Sequence, residues 1–122
     1  MDAERAHADL AEKRAAYASR LEEAVRRLVE TLSAVDAVRR VSLFGSYARG
    51  RRDLFTDLDV LVVMDTTTGF LERLRFLYGI LALPVDLDLV SYTPQELREL
   101  RDSPFLRRIL DEEVVVYEKK PA

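Results

Sequence analysis

The sequence predicts an α/β or α+β sandwich, and three observations carry that prediction. A stretch from about Ala3 to Ser33 has no Gly or Pro and repeats apolar residues at helical spacing. Three later segments, Val38 to Phe44, Asp57 to Met64 and Val85 to Ser91, have the composition of strands. Helical patterns and cap signals stand between and after them, so helices and strands alternate and must pack as layers.

In the first segment Leu10, Tyr17, Leu21, Val25, Leu28 and Leu32 recur at spacings of three, four or seven. This predicts a long amphipathic helix with one buried stripe, whose first two Ala-rich, charged turns fray or project. Val38 to Phe44 follows as a strand, with Val41 and Leu43 on one face and Ser42 and Phe44 on the other. Gly45 ends it, and Ser46 to about Arg51 makes one or two helical turns. After a loop over Asp53 to Thr56, Asp57 to Met64 is a second strand, apolar enough to be covered on both faces. Phe70, Leu74, Leu77 and Leu81 predict a helix from Gly69 to Ala82, stopped by Pro84. Val85 to Ser91 is a third, alternating strand. Thr93-Pro94-Gln95-Glu96 is a capping box with proline at the first helical position. Ser103-Pro104 repeats the cap-and-proline signal, Val114 to Tyr117 is a last strand, and Lys119 to Ala122 is a tail.

Bulk composition narrows the classes. At 122 residues the chain is expected to be one domain, 1–122, with a helix over 1–34 and a core over 38–117. A hydrophobic content of 48% excludes wholesale disorder, and a net charge of -3 argues against nucleic acid as a partner. There is no cysteine, so disulfides and thiolate metal sites are excluded. Met1 to Arg5 is charged and unlike a signal peptide, and no apolar run reaches the roughly 18 residues of a membrane span. A cytoplasmic location is the default expectation.

The chemistry concentrates in Gly45-Ser46-Tyr47-Ala48-Arg49-Gly50 and Thr56-Asp57-Leu58-Asp59. Aspartates at i and i+2 of a strand leave one face, with α-carbons roughly 6.5–7 Å apart. Such carboxylates can converge on a pair of divalent ions. Oxygen donors favour magnesium. Taken singly, Asp57 would be a turn cap and Asp59 an exposed strand residue; side by side they repel and call for a cation or water. A strand that runs into Gly45 leaves backbone N–H groups free for a phosphate, and Ser46 adds a hydroxyl. By themselves Gly45 would be a turn and Ser46 an N-cap. Asp86 and Asp88 share a face of the third strand, and either can supply a third carboxylate. Arg49 is the preferred contact for triphosphate charge, while Arg51 and Arg52 read equally well as a solvated loop. His7 lies in the fraying region, and Tyr17 reads as core.

These residues resemble a known signature. Leu43 to Gly50, Thr56 to Val62, Val85 to Val90 with Tyr92-Thr93-Pro94, and Ser103 to Tyr117 together look like the DNA-polymerase-β-like nucleotidyltransferase superfamily. Within it, the likeness is to the minimal nucleotidyltransferases, many of which are antitoxins of helical HEPN toxins. The resemblance implies a nucleotidyltransferase fold with a small mixed sheet flanked by helices. It implies transfer of a nucleoside monophosphate from an NTP to a hydroxyl with release of pyrophosphate. Gly45 and Ser46 would hold the β- and γ-phosphates, and Asp57 and Asp59 two Mg²⁺ ions. Asp88 fits best as the third carboxylate, with Asp86 as the alternative. Thr56 stands where serine is common. Asp111-Glu112-Glu113 replaces a glycine-containing turn, a departure expected to affect the turn and not the chemistry.

Three functions follow. The first is AMP transfer from ATP to a partner protein such as a HEPN toxin, since no second substrate domain is evident. The second is a binding module that neutralises its partner by contact. The third is nucleotidyl transfer to a small molecule, with a homo-oligomer supplying the missing wall.

Overall fold

The computed structural model describes residues 2–121; Met1 and Ala122, the outer ends of the N-terminal segment and of the tail, lie outside the described residues. The elements are α1 (Asp2–Ser33), β1 (Val38–Phe44), α2 (Gly45–Ala48), β2 (Leu58–Met64), α3 (Phe70–Ile80), β3 (Leu87–Tyr92), α4 (Pro94–Leu100), α5 (Pro104–Glu112) and β4 (Val114–Glu118). The strands form one mixed sheet in the order β3-β2-β1-β4. β1 pairs antiparallel with both β2 and β4, and β2 pairs parallel with β3. The parallel pair is joined through α3, as a parallel connection requires.

Alternation along the strands divides the core. Val41, Leu43, Leu58, Val60, Val62 and Leu89 face Leu21, Leu28 and Leu32 of α1 and Leu77 of α3. Leu61, Val63, Phe44 and Val90 face the other way and pack with Leu97 of α4 and Ile109 and Leu110 of α5. β2 is therefore covered on both sides, which is why Val60 to Met64 is an unbroken apolar run. A register shift between Val38 and Arg40 keeps Val38 on the same face as Val41 despite the odd spacing.

α1 meets the sheet only through its second half. Leu21, Ala24, Leu28 and Leu32 are buried, whereas residues 2–9 and 11–16 are exposed. The first turns project, and Leu10, expected on the buried stripe, is only partly covered because the helix has already left the sheet at that point. No helix among the described residues is long and apolar enough to cross a membrane.

Several boundaries differ from those the sequence suggests. β2 opens at Leu58 rather than Asp57, and β3 at Leu87 rather than Val85. The ladder begins where Leu58 donates its N–H to the Asp86 carbonyl at 3.0 Å, so the residues before it have no strand partner. α2 is one turn, Gly45 to Ala48, and its N-cap is Phe44, so Ser46 caps nothing. α3 ends at Ile80 because Leu81, three residues before Pro84, is already extended. The two cap motifs behave as read: Thr93 and Glu96 close a reciprocal capping box, and the Ser103 hydroxyl accepts from the Leu106 N–H at 3.2 Å.

Arg73 was not foreseen in the core. It is 2% exposed and donates to Thr68 O at 2.9 Å and to both Glu96 oxygens at 2.7 and 3.1 Å. Glu96 also accepts from the Thr93 N–H at 2.8 Å, so the α4 cap doubles as the partner of a buried cation. Burial alone would push the Glu96 carboxyl up, but the Thr93 N–H and the Arg73 guanidinium outweigh it and hold it below the usual range. Removing one member of a buried pair strands the other. Glu96→Ala is therefore expected to cost about 3 kcal/mol in urea unfolding, and Arg73→Met, which removes the charge but keeps the volume, about 1 kcal/mol.

Candidate active site

The site is built where β1 turns. Phe44 pairs with Asp59 in the antiparallel register, so the residue after it must pass the Asp59 side chain. That residue is Gly45, with φ of +71°, and a Cβ there would lie 2.1 Å from Asp59 Oδ2. Glycine is required twice over, by the left-handed backbone and by the contact. Gly45 and Asp59 are thereby held in close contact, and both line a cavity of 270 Å³. Gly45, Ser46, Arg49 and Asp59 line one side of it, and Phe105, Arg108 and Glu112 of α5 the other.

Asp57 is delivered by a turn with its own hydrogen bonding. Asp53 Oδ1 accepts from the Phe55 N–H at 3.0 Å and from the Thr56 hydroxyl at 3.1 Å, and Thr56 Oγ1 accepts from the Asp53 N–H at 3.0 Å. Thr56 is fully buried, so its hydroxyl closes this turn and leaves none of its own polarity to the site. Arg51 pairs with Asp53, and that guanidinium, together with the Phe55 N–H, holds the Asp53 carboxyl below its ordinary range. Arg52 lies 3.4 Å from the centre of the Tyr47 ring and donates to the Tyr47 carbonyl at 2.7 Å. Arg51 and Arg52 are thus turn builders, and only Arg49 of the three lines the cavity.

The parallel register puts Asp59 beside Asp88, with Asp57 and Asp86 two residues earlier on their chains, just before the ladder begins. Buried Leu58 anchors the opposite face between the two aspartates of the motif. Burial, then the neighbouring Asp88 and Asp57 carboxylates, push the Asp59 carboxyl up to about 6 against the pull of Arg49. Asp57 is also raised, by burial and by Asp86 and Asp88. Asp86 faces a different space, a 240 Å³ cleft with Tyr17, Leu83, Pro84 and Val85. Tyr17 is more than a core residue: its hydroxyl donates to the Thr56 carbonyl at 2.8 Å. Its phenol is raised by burial and by Asp86 and Asp57. Among the described residues, no three His, Asp or Glu side chains converge as a ready-made metal site. His7 lies on the exposed part of α1.

The acidic turn before β4 does more than turn the chain. Glu112 Oε2 accepts from the Gly45 N–H at 3.3 Å and from Arg49 at 3.1 Å. The departure at Asp111-Glu112-Glu113 therefore reaches beyond the turn itself, because α5 carries the far wall of the cavity. The signal was present in the spacing, since Phe105, Arg108 and Glu112 fall at i, i+3 and i+7 on one helix face.

A carboxyl raised on folding costs stability wherever it is ionised. The folded state of Asp59 takes up its proton near pH 6 and the unfolded state near 4, so stability falls as pH rises between those values and the cost is fully present above them. Asp59→Asn is therefore expected to raise the Tm of the free protein by a few degrees at pH 7.5, about 1 kcal/mol after discounting for partial solvation, with the gain vanishing near pH 4. Thermal melts of both proteins across pH 4 to 8 check this.

Known proteins are similar to this chain in sequence and in fold. Residues 19–117 match the family described as nucleotidyltransferase domain. A protein of Methanocaldococcus jannaschii, named provisionally a protein adenylyltransferase, is 28% identical over 102 residues, covering 80% of this chain and 94% of that one. The crystal structure of a nucleotidyltransferase, so described provisionally, from Sulfolobus solfataricus superposes with a TM-score of 0.55 at 18% identity, covering 90% of this chain and 87% of that one. A point mutant of the MntA-HpeT toxin–antitoxin gives a TM-score of 0.51 at 22% identity, covering 81% of this chain and 73% of that one. These two structures share the fold. With the family match running from the middle of α1 into β4, the chain belongs to the nucleotidyltransferase domain family and is an enzyme of nucleotidyl transfer.

Proposed function

We propose that this enzyme transfers AMP from ATP to a hydroxyl on a partner protein, and that the partner is a toxin of the HEPN type. The observation that carries the nucleotide part is the contact of Gly45 with Asp59, in register with Asp88. It puts Gly45, Ser46 and Arg49 in one cavity with the Asp59 carboxylate. The relative named as a protein adenylyltransferase and the toxin–antitoxin fold neighbour support a protein acceptor.

The carboxylates fit a divalent cation by their chemistry. Asp57, Asp59 and Asp88 offer only oxygen donors, and burial followed by the neighbouring carboxylates raises the first two. They would hold magnesium, with Asp88 preferred to Asp86 because it neighbours Asp59 in the ladder. When bound, magnesium supplies charge compensation for the triphosphate and lowers the pKa of the acceptor hydroxyl.

The remaining work falls to the chain's own groups. The Gly45 N–H, the Ser46 hydroxyl and the Arg49 guanidinium bind the β- and γ-phosphates and hold the α-phosphorus in line with the acceptor. Asp88 takes the acceptor proton as the new P–O bond forms and the bond to pyrophosphate breaks.

Incubation with ATP, magnesium and the product of the neighbouring gene is expected to raise that protein's mass by one adenylyl group. No mass change with any nucleotide would overturn transfer to that partner. Asp57→Ala or Asp59→Ala is expected to reduce turnover at least about a hundredfold with the fold intact. Neutralisation of the partner by the Asp57→Asn/Asp59→Asn variant at full strength would instead show that contact suffices.

A further inference from the structure

We propose that Arg108 is a second phosphate-binding arginine beside Arg49, and that Glu112 is a built-in occupant of their site, displaced when the terminal phosphates of the nucleotide bind. The inference rests on the nucleotide reading above and adds residues of α5 to it.

Three donors from two parts of the chain meet on one carboxylate. Glu112 Oε2 takes the Gly45 N–H at 3.3 Å and Arg49 Nη1 at 3.1 Å, and Oε1 takes Arg108 Nε at 3.4 Å. The arginine side chains are 54% and 78% exposed, and the carboxylate between them 24%. Exposed pairs of this kind add little to stability, so fold stability does not account for two long side chains aimed at one point. Two guanidiniums meet on the one Glu112 carboxylate, so its departure would leave both without that partner. The same forked N–H geometry that receives a carboxylate receives a phosphate. All of these groups line the 270 Å³ cavity that also holds Ser46 and Asp59.

Glu112 is free to leave. It is the last residue of α5, and the turn after it is held by its neighbour. Glu113 accepts from the Ser42 hydroxyl at 2.6 Å and lies 3.5 Å from Arg40. Rotation of the Glu112 side chain therefore empties the cradle without moving α5 or β4. An incoming triphosphate repels it and takes over its three donors, while Arg108, on the same helix, stays at the rim.

The test uses inorganic tripolyphosphate as probe, without metal, titrated calorimetrically into the full chain. Glu112→Ala is expected to bind it about tenfold more tightly than wild type, and Arg108→Gln about tenfold more weakly than its parent in either background. Glu112→Gln, which keeps the side-chain length, is expected to fall between; thermal melts confirm folding of each. Unchanged or weaker binding by both Glu112 variants would overturn the proposal, making the carboxylate a tether for Arg49. ATP titrations with magnesium on wild type and Asp57→Asn/Asp59→Asn separate the two readings. If ATP binding needs the aspartates but Glu112→Ala changes nothing, only the occupant fails. If Glu112→Ala gains tripolyphosphate affinity but ATP binding ignores the aspartates, the anion site stands and the nucleotide reading fails.

Discussion

A missing side chain sets the geometry of this site. Because Phe44 and Asp59 are paired across β1 and β2, the chain leaving β1 has to pass within contact of the Asp59 carboxylate. Any Cβ at position 45 would drive the strands or the carboxylate apart, and the left-handed φ there adds a second penalty. The approach of the chain at position 45 to the Asp59 carboxylate is thus set by the strand pairing and by the absence of a Cβ. Catalytic constellations benefit from that kind of rigidity, since small displacements are costly in rate.

The carboxylates show the opposite economy. Four aspartates stand at or just before the starts of two parallel strands, and burial and the neighbouring carboxylates raise Asp57 and Asp59. A fold optimised for stability alone would not place them so. The surrounding structure compensates with two buried layers on either side of β2 and with the Arg73–Glu96 pair that locks α3 to the start of α4. Crowded carboxyls with shifted pKa values, supported by dense packing elsewhere, are common at functional sites.

Much of this was legible in the sequence, for physical reasons that differ by element. The strand of β1 and the caps at Thr93 and Ser103 rest on local chemistry, and local chemistry reads directly from neighbouring residues. The Asp57–Asp59 pair and Gly45 were found the same way, and the preference for Asp88 over Asp86 came from the resemblance. What stayed hidden depends on residues far apart in the chain. Arg73 looks like a surface arginine until Glu96 is brought to it from another helix. Glu112 looks like part of an acidic turn until β4 pairs with β1 and carries the end of α5 against Gly45. Tyr17 sits correctly on the helical stripe, yet its hydroxyl finds the Thr56 carbonyl, a partner no periodicity could name.

The acidic turn has one more consequence, at the rim of the sheet. β4 is an edge strand with Val114 and Val115 half exposed, and such edges can recruit strands from other molecules. It is only five residues long and is bracketed by Glu112 and Glu113 before it and by Glu118, Lys119 and Lys120 at its end. A second chain attempting to extend the sheet would have to bring its own charges against both brackets. The residues that shape the cavity on one side of the turn therefore also discourage edge-to-edge aggregation on the other.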